Sequence, residues 1–233
     1  MIGTNAWKTL ARGCAAASLA WCVAPARAEM VLDHVIVDFD AAKPLREDIE
    51  IQNTGPDTLY IVAEPAEVLE PGTPRQRRVA SPDPRVSGLL VSPQRMVLDP
   101  GQRKLVRIAA IGPNSERDRI YRVTVKPVAG AITASSSAVK VFVGYDVLVI
   151  RRPAVIVGTV VAERSGSTIR LRNDGNTAVE LFDGKQCDPT GKSCVALPAT
   201  RLYSGASIDV ADMFATPLRY RTLDGRQTRA VQF

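Results

Sequence analysis

Few side chains in this sequence could do chemistry, and the first to test is its one histidine, His34. A metal site built from several histidines is therefore excluded, and a Ser-His-Asp triad would have to use this residue. His34 lies beside Asp33 in a β-rich stretch, where a histidine usually serves in packing or on the surface. No G-x-S-x-G, H-E-x-x-H or phosphate-binding glycine loop occurs, and none of the 24 acidic residues is marked out as half of a catalytic pair. We therefore expect no catalytic activity, cofactor or bound metal.

Cysteines offer the other candidate chemistry. Cys14 and Cys22 lie in an N-terminal segment that has the pattern of an export signal. Cys187 and Cys194 enclose the loop "CDPTGKSC". An even pair in an exported chain favours a disulfide, which would contribute about 2.5 kcal/mol through the entropy of the unfolded chain. Two free thiols are the alternative.

Residues 1–28 have the pattern of an export signal. Lys8 and Arg12 precede a run of small and apolar residues, Gly13 to Val23, and Ala26-Arg27-Ala28 matches a small-x-small cleavage site. The apolar run is too short to span a bilayer, so we expect cleavage after Ala28 and no stable membrane insertion.

Removal of this segment changes the charge balance. It takes three basic and no acidic residues from totals of 30 and 24, and leaves a formal charge of +3. The remaining chain has no run of five or more Lys or Arg residues. Nothing in the charge pattern therefore calls for a nucleic-acid partner.

In the rest of the chain, the sequence predicts that strands position the functional residues. Short β-rich stretches alternate with turns such as Asn53 to Asp57, Asp99 to Gly101 and Asn173 to Gly175, without a helical period between them. This organisation is typical of all-β sandwiches. Because the pattern restarts after Pro153, we predict two tandem domains, residues 29–152 and 153–233.

One stretch, "AVKVFVGYDVLVIRRP" from Ala138 to Pro153, is unusually apolar. Every odd position from Val139 to Val149 is apolar, and so are Leu148 and Ile150. A strand of a sandwich normally gives one face to the core and the other to water. This stretch has apolar side chains for two faces, and either its own domain covers both or a partner covers one.

Three segments in this order resemble the periplasmic chaperones of the chaperone-usher pilus pathway: "GLLVSPQRMVLDPGQRKLVRI" from Gly88, "YRVTVKPV" from Tyr121 and the stretch ending at Arg152-Pro153. "LRNDGNTAVEL" and "RLYSGASIDV" extend the resemblance into the second domain. The resemblance implies two immunoglobulin-like domains and a periplasmic location. It also implies ATP-independent capture of one unassembled pilus subunit and its delivery to an outer-membrane usher. Self-association of the free protein stays open.

In that family, a strand of the first domain fills the groove of a subunit that lacks its own last strand. Counted back from Arg152, the donated side chains fall on Val139, Val141 and Val143. Burial of valines contributes about 1.5 to 3 kcal/mol each before the cost of association. The resemblance thus gives the unusual apolar row a partner.

The resemblance fails where the family binds the carboxylate at the end of the pilus subunit. The arginine and the lysine of the family's cleft correspond here to Ile36 and Leu148, which cannot bind a carboxylate. Strand parity places Arg107 and Arg122 on the outward faces of their strands. These two residues are the candidate replacement anchor, with Arg151 as a third candidate and solvated surface arginines as the alternative.

Arg152 has a different predicted role. The resemblance implies that the arginine ending the donor strand pairs with acids of both domains and sets their angle, and Asp118 (or Glu116) and Asp224 lie near the matching places. Such a network specifies orientation without adding much net stability. The alternative is a surface ion pair worth under about 1 kcal/mol.

Two classes of function fit these observations. The first is a chaperone for pilus subunits, and the second is an exported structural or adhesive β-sandwich protein without a client. A secreted hydrolase with an unmarked carboxylate site is a weaker third.

Overall fold

The structure is a computed structural model, and it describes residues 29–128, 142–225 and 227–233. The first half of the described chain forms strands and one short helix. In chain order these are β1 (Met30–Leu32), β2 (Ile36–Phe39), β3 (Arg46–Asn53), β4 (Leu59–Leu69), β5 (Arg77–Val79), α1 (Pro84–Ser87), β6 (Leu89–Ser92), β7 (Arg95–Leu98), β8 (Arg103–Ala110), β9 (Arg119–Val128) and β10 (Tyr145–Arg151).

The second half is built from strands. They are β11 (Val160–Ser165), β12 (Thr168–Asn173), β13 (Val179–Cys187), β14 (Cys194–Ala196), β15 (Thr200–Leu202), β16 (Ser207–Ala211), β17 (Arg219–Leu223) and β18 (Thr228–Gln232). The all-β prediction is confirmed. Within the described ranges, no helix is long and apolar enough to cross a membrane.

The first ten strands form one sandwich. Sheet I has the strand order β1-β3-β8-β6, and sheet II has the order β2-β10-β9-β4-β5 with β7 beside β4. Ile49 and Ile108 of sheet I meet Tyr121 and Val147 of sheet II in a common core, because alternate side chains of each strand point inward. The outward position of Arg107 confirms the parity prediction for its strand.

The N-terminal strands are divided between the two sheets. β1 runs antiparallel to β3 in sheet I, and β2 runs parallel to β10 in sheet II. Between them, the Asp33 carboxylate accepts hydrogen bonds from the backbone N–H groups of His34 at 2.9 Å and Glu50 at 3.0 Å. This contact holds the chain where it crosses from one sheet to the other.

The remaining strands form a second sandwich. Sheet III has the order β11-β12-β16, and sheet IV has the order β14-β13-β17-β18 with β15 beside β13. Its core contains Ile169 and Leu171 of sheet III and Leu181 and Tyr220 of sheet IV. Each sandwich therefore has a core of its own.

The two sandwiches share one type of buried corner, built on Asn53 in the first and Asn173 in the second. Each amide nitrogen donates to the carbonyl four residues later and to a leucine carbonyl on another strand, at 2.7 to 2.9 Å. Each amide oxygen accepts the N–H of the glycine two residues later. Because both side chains are fully buried, these bonds remove the cost of an unsatisfied amide.

Helix α1 was not predicted. Asp83 caps it by accepting a hydrogen bond from the Arg85 N–H at 2.8 Å, Pro84 opens it, and Gly88 ends it at φ 75°. The Asp-Pro start and glycine stop are readable in the sequence. Four residues are too few to show a helical period.

Candidate functional site

β10 contains the C-terminal part of the apolar stretch. Its two faces pack against different groups of residues. Val147 and Val149 point into the core of the first sandwich. Leu148 and Ile150 point the other way, into a separate apolar cluster against which Tyr203 of the second sandwich packs. Along this part of β10, the chain itself covers both faces.

The N-terminal end of β10 is different. The strand begins at Tyr145, and Val143, two residues earlier, is 57% exposed. Val143 occupies the odd position that continues the inward row of Tyr145, Val147 and Val149. The apolar row therefore extends past the end of the sheet into solvent at Val143. The other two predicted donor residues, Val139 and Val141, lie outside the described residues.

Ile36 and Leu148 are neighbours on the outer face of sheet II. They are Cα partners in the parallel pairing of β2 with β10. Ile36 is 48% exposed, whereas Leu148 is 5% exposed within the apolar cluster. An apolar pair thus occupies the place where the resemblance expects an arginine and a lysine.

Arg122 is the next residue in the same row, because its Cα pairs with that of Leu148 across β9 and β10. Its Nη1 donates to the Asp146 carbonyl at 3.2 Å, and its Nε lies 3.7 Å from Asp146 Oδ2. Arg78 of β5 binds the same carboxylate through Nη1 to Oδ1 at 3.0 Å and Nη2 to Oδ2 at 2.5 Å. We refer to Arg78, Arg122 and Asp146 as the arginine clamp.

The arginine clamp keeps an excess of positive charge. Its two guanidinium groups face one carboxylate, while the nearby Lys126 is neutralised by Glu64 at 2.8 Å. A concave region of about 490 Å³ adjoins it, lined by Arg78, Asp146 and Phe142 among others. This face of sheet II can therefore accept a further anion.

The structure does not bring Arg107 to Arg122, the two residues of the predicted anchor. Arg107 lies on sheet I and donates to both carboxylate oxygens of Asp48 at 2.7 Å. Arg122 lies on sheet II. Both side chains point away from the shared core, so they occupy opposite surfaces of the sandwich. The hydrogen bonds from Arg107 lower the pKa of Asp48.

Arg151, the third anchor candidate, is enclosed. It is 1% exposed, and its guanidinium donates to the carbonyls of Ile111, Gly112 and Pro113, each at 2.8 Å. The side chain holds the loop between β8 and β9 in place. It is not available to a ligand.

Arg152 links the two sandwiches. It is 4% exposed, and its Nε and Nη2 donate to the two carboxylate oxygens of Asp38 at 2.6 and 2.8 Å. Its Nη1 donates to Thr177 Oγ1 at 2.6 Å and to the Ala178 carbonyl at 2.9 Å. Asp38 belongs to the first sandwich, and the other two residues belong to the second, so one guanidinium spans the junction.

Asp118 joins the same network through Thr177, the residue to which Arg152 Nη1 donates. It accepts hydrogen bonds from the Thr177 hydroxyl at 2.8 Å and from the Ala178 N–H. Burial raises the pKa of Asp118, because the carboxylate leaves water. The alternative candidate Glu116 uses its backbone carbonyl, which accepts from Asn176 at 2.8 Å.

Asp224 is placed differently from the prediction. Its carboxylate accepts a hydrogen bond from the Gln227 N–H at 3.1 Å and lies 3.8 Å from Arg229. The next residue, Gly225, lies against the Arg152 guanidinium, and a Cβ there would be 2.0 Å from Nε. The acid that Arg152 binds is Asp38, which sequence analysis did not name. Its position two residues after Ile36, on the same face, was the available signal.

The predicted disulfide is present. Cys187 and Cys194 are bonded with an S–S distance of 2.03 Å and are Cα partners of β13 and β14. The bridge closes a hairpin of the second sandwich. It therefore lies on a different sandwich from β10.

His34 packs at the surface between acidic side chains. Its Nδ1 lies 2.9 Å from Asp33, and its Nε2 lies 3.2 Å from Glu47. Among residues 29–128, 142–225 and 227–233, no three His, Cys, Asp or Glu side chains are grouped to hold a metal ion.

This architecture also occurs in proteins of known structure. No family model matches the chain. An Escherichia coli protein that is named as a subunit of CS1 fimbriae is 25% identical over 174 residues, which cover 70% of this chain and 73% of that protein. The crystal structure of the Class 5 fimbriae chaperone CfaA is 20% identical with a TM-score of 0.66, and the match covers 87% of this chain and 98% of that one.

The chain has the fold of the fimbrial chaperones. The fimbrial-chaperone fold also occurs in the complex of Salmonella enterica SafA pilin with the SafB chaperone, where the matched chain is 14% identical with a TM-score of 0.61. That match covers 90% of this chain and 98% of the other. The likeness to the fimbrial-chaperone fold therefore extends over both sandwiches.

Proposed function

We propose that the protein is a periplasmic chaperone that binds unassembled fimbrial subunits, without ATP or catalysis, and passes them to an outer-membrane usher. The observation that carries the proposal is the apolar row of β10. Val147 and Val149 complete the core of the chaperone's own first sandwich, whereas Val143 of the same row is 57% exposed beyond the sheet. An apolar row that leaves its own domain is suited to complete the core of another.

The edge of β10 supports the same conclusion. β2 pairs with Leu148–Arg151 only, so among the described residues no strand pairs with Tyr145 to Val147 on that side. A free strand edge offers main-chain N–H and C=O groups to an added strand. We assign Val139, Val141 and Val143 as the side chains that enter the pilus subunit, at about 1.5 to 3 kcal/mol for each buried valine.

The arginine clamp is our revised candidate for the site that holds the terminal carboxylate of the pilus subunit. Arg122 adjoins Leu148, and Arg78 shares Asp146 with it. A second carboxylate would compete with Asp146 for these donors, and each charge-assisted hydrogen bond is worth about 1.5 to 3 kcal/mol. Exposed Ile36 would contact the last side chain of the pilus subunit. The anchor would thus differ in residues, and not in location, from the one that the resemblance implies.

Residues 1–28 act in this proposal as the cleaved export signal, and residues 29–152 and 153–233 act as the two domains. Arg152, Asp38 and Asp118 set the angle between the domains, which determines how a pilus subunit fits the cleft. The structure of SafA pilin bound to the SafB chaperone supports a pilin as the partner of this chain, because SafB is a chaperone in complex with a pilin.

Co-expression of the chain with the fimbrial subunits encoded beside it, followed by affinity purification from the periplasm, tests the proposal. We expect one fimbrial subunit to co-purify in a one-to-one complex and to aggregate or be degraded when the chain is omitted. Accumulation of the same fimbrial subunit in equal amounts without the chain contradicts the proposal.

A structural component of the fibre is the second candidate. It is favoured by one observation, the name of the Escherichia coli relative, which is called a fimbrial subunit. Immunogold labelling of whole cells separates the two functions. A fibre component labels extracellular filaments, whereas a chaperone is recovered from the periplasm.

A further inference from the structure

Sheet IV of the second sandwich carries a like-charge pair. Lys185 of β13 and Arg219 of β17 are direct Cα partners, and both side chains are exposed. Neither makes an ion pair within 4.0 Å with any residue that the structure describes. Like charges directly opposite each other destabilise a sheet. The fold retains a repulsive pair that a neutral residue at either position would relieve.

A β-bulge creates this pair. The register of β13 on β17 shifts between Phe182 and Lys185, and Asp183 has a φ of 51°. In an unbroken register, Gly184 would face Arg219. The bulge replaces it with Lys185, while Gly184 packs so closely on Tyr220 that a Cβ would lie 2.2 Å from the ring. Bulges of this kind re-aim side chains, frequently beside binding sites.

A third cation completes the surface. The Arg221 guanidinium lies 5.0 Å from the centre of the Phe182 ring and 3.3 Å from the Asp183 carboxylate. With Lys185 and Arg219 it lines a concave region of about 550 Å³. Three cations and one carboxylate leave this region positively charged, so its ligand is expected to be anionic.

The outer edge of β18, beside this region, favours an extended peptide over a free anion as the ligand. β18 is the last strand in the order of sheet IV and pairs with β17 only, within the part of the chain that the structure describes. Thr228, Ala230 and Gln232 share the outer face of β18 and are exposed, and the first two are small. A free anion would use the cations alone, whereas an extended peptide would also use the main-chain groups of the edge.

We propose that sheet IV binds an extended acidic segment of a partner protein, with its main chain along β18 and its carboxylates facing Arg219 and Arg221 across that strand, while Lys185, one strand further away, adds to the positive field. This inference goes beyond the proposed function, because it uses the second sandwich and leaves β10 and the arginine clamp free. A captured pilus subunit and the acidic partner can then be held together.

Fluorescence anisotropy of a labelled peptide of alternating Glu and Val residues tests this, using the whole processed chain at about 50 mM salt. A peptide of alternating Gln and Val is the matched control. We expect binding of the Glu peptide, with affinity at least about tenfold lower for the Gln peptide and for Arg219→Ala and Lys185→Glu. Arg170→Ala, which alters an exposed arginine of sheet III that pairs with Asp209, should leave the affinity unchanged.

Stability distinguishes lost binding from lost folding. Lys185→Glu converts the like-charge pair into an opposite-charge pair, so it should raise the melting temperature while it lowers the affinity for the Glu peptide. Absence of Glu-peptide binding at about 1 mM, or equal binding of both peptides, overturns the proposal. A Glu peptide N-methylated at alternate residues should bind more weakly, and equal affinity overturns the role of the β18 edge. None of these outcomes depends on capture of a pilus subunit, so the two functions fail independently.

Discussion

Ile36 and Leu148 are direct partners across β2 and β10, yet Ile36 is 48% exposed and Leu148 is 5% exposed. Leu148 packs with Val68, Ile120 and Ile150 under Tyr203 of the second sandwich. Ile36 lies at the open margin of the same face. The two positions at which the resemblance expects cations therefore differ in how they can accommodate charge.

Leu148→Lys should destabilise the protein by at least about 2 kcal/mol, because the ammonium group would enter the apolar cluster without a partner. Ile36→Arg should change the free energy of unfolding by less than about 0.5 kcal/mol, because the side chain can reach water. Urea denaturation of both variants measures the difference. Neither substitution should improve capture of the pilus subunit, and tighter capture by the double variant would show that this chain uses the familiar anchor geometry after all.

Val139→Asp with Val141→Asp should leave the first sandwich folded and abolish capture of the pilus subunit. A carboxylate in the apolar groove of that partner has no counter-charge there, and the burial energy of two valines is also lost. Circular dichroism measures folding, and co-purification of the partner measures capture. Val86→Asp is the matched control, because Val86 is 69% exposed on α1. Normal capture by the folded double variant would refute the assignment of these valines.

Arg78→Ala with Arg122→Ala should weaken binding of the pilus subunit by about tenfold or more, since both charge-assisted donors are removed. Amidation of the last carboxylate of the pilus subunit should weaken binding to the native chain equally and add no further loss to the double variant. Arg107→Ala is the control, because Arg107 pairs with Asp48 on the opposite surface. If the amidated partner loses affinity but the arginine variant does not, the carboxylate binds elsewhere.

The Cys187–Cys194 bridge should leave no free thiol in the denatured, unreduced protein. Replacing both cysteines by serine should lower the free energy of unfolding by about 2.5 kcal/mol and leave capture of the pilus subunit nearly unchanged, because the bridge lies in the second sandwich. Thiol titration and thermal unfolding measure these effects. Two titrating thiols would contradict the bridge.

Arg152→Ala should destabilise the protein by about 3 kcal/mol, because it leaves Asp38 and the acceptors of the second sandwich without their buried donor. Arg103→Ala, which removes an exposed pair with Glu50, should cost less than about 1 kcal/mol. Small-angle X-ray scattering should show a wider range of interdomain distances for Arg152→Ala only. Identical scattering from both variants would mean that Arg152 does not set the domain angle.

Strand parity was sufficient to predict which side chains leave the core. It separated Arg107 from Val106 and Ile108, and Arg122 from Tyr121, as the structure has them. Parity cannot say which sheet of a sandwich a strand joins, because each sheet has its own outer face. Arg107 and Arg122 were paired for that reason, although they lie on opposite surfaces.

The partners of the buried Arg152 and of Arg78 in the arginine clamp could not be predicted from neighbouring residues in the sequence. Asp38 binds Arg152, and Arg78 binds Asp146, through strand registers that join distant parts of the chain. Arg78 lies in a three-residue strand within a basic stretch, which has no alternation to recognise. The cysteine pair was predictable, because the short loop between the cysteines and the predicted export signal are both local signals.

The pairing of β10 with β2 also sets an order of events. Arg152 binds Asp38, 114 positions earlier in the sequence. Sheet II is incomplete until β10 pairs with β2. Contacts at such separation form slowly, because closing a long loop costs chain entropy before the contact is made. In the proposed export, the chain would cross a membrane from its N-terminus, so β2 would emerge early and β10 last among the strands of this sandwich. The speed of that proposed translocation would therefore determine how long the unfinished core stays open to proteases and to aggregation.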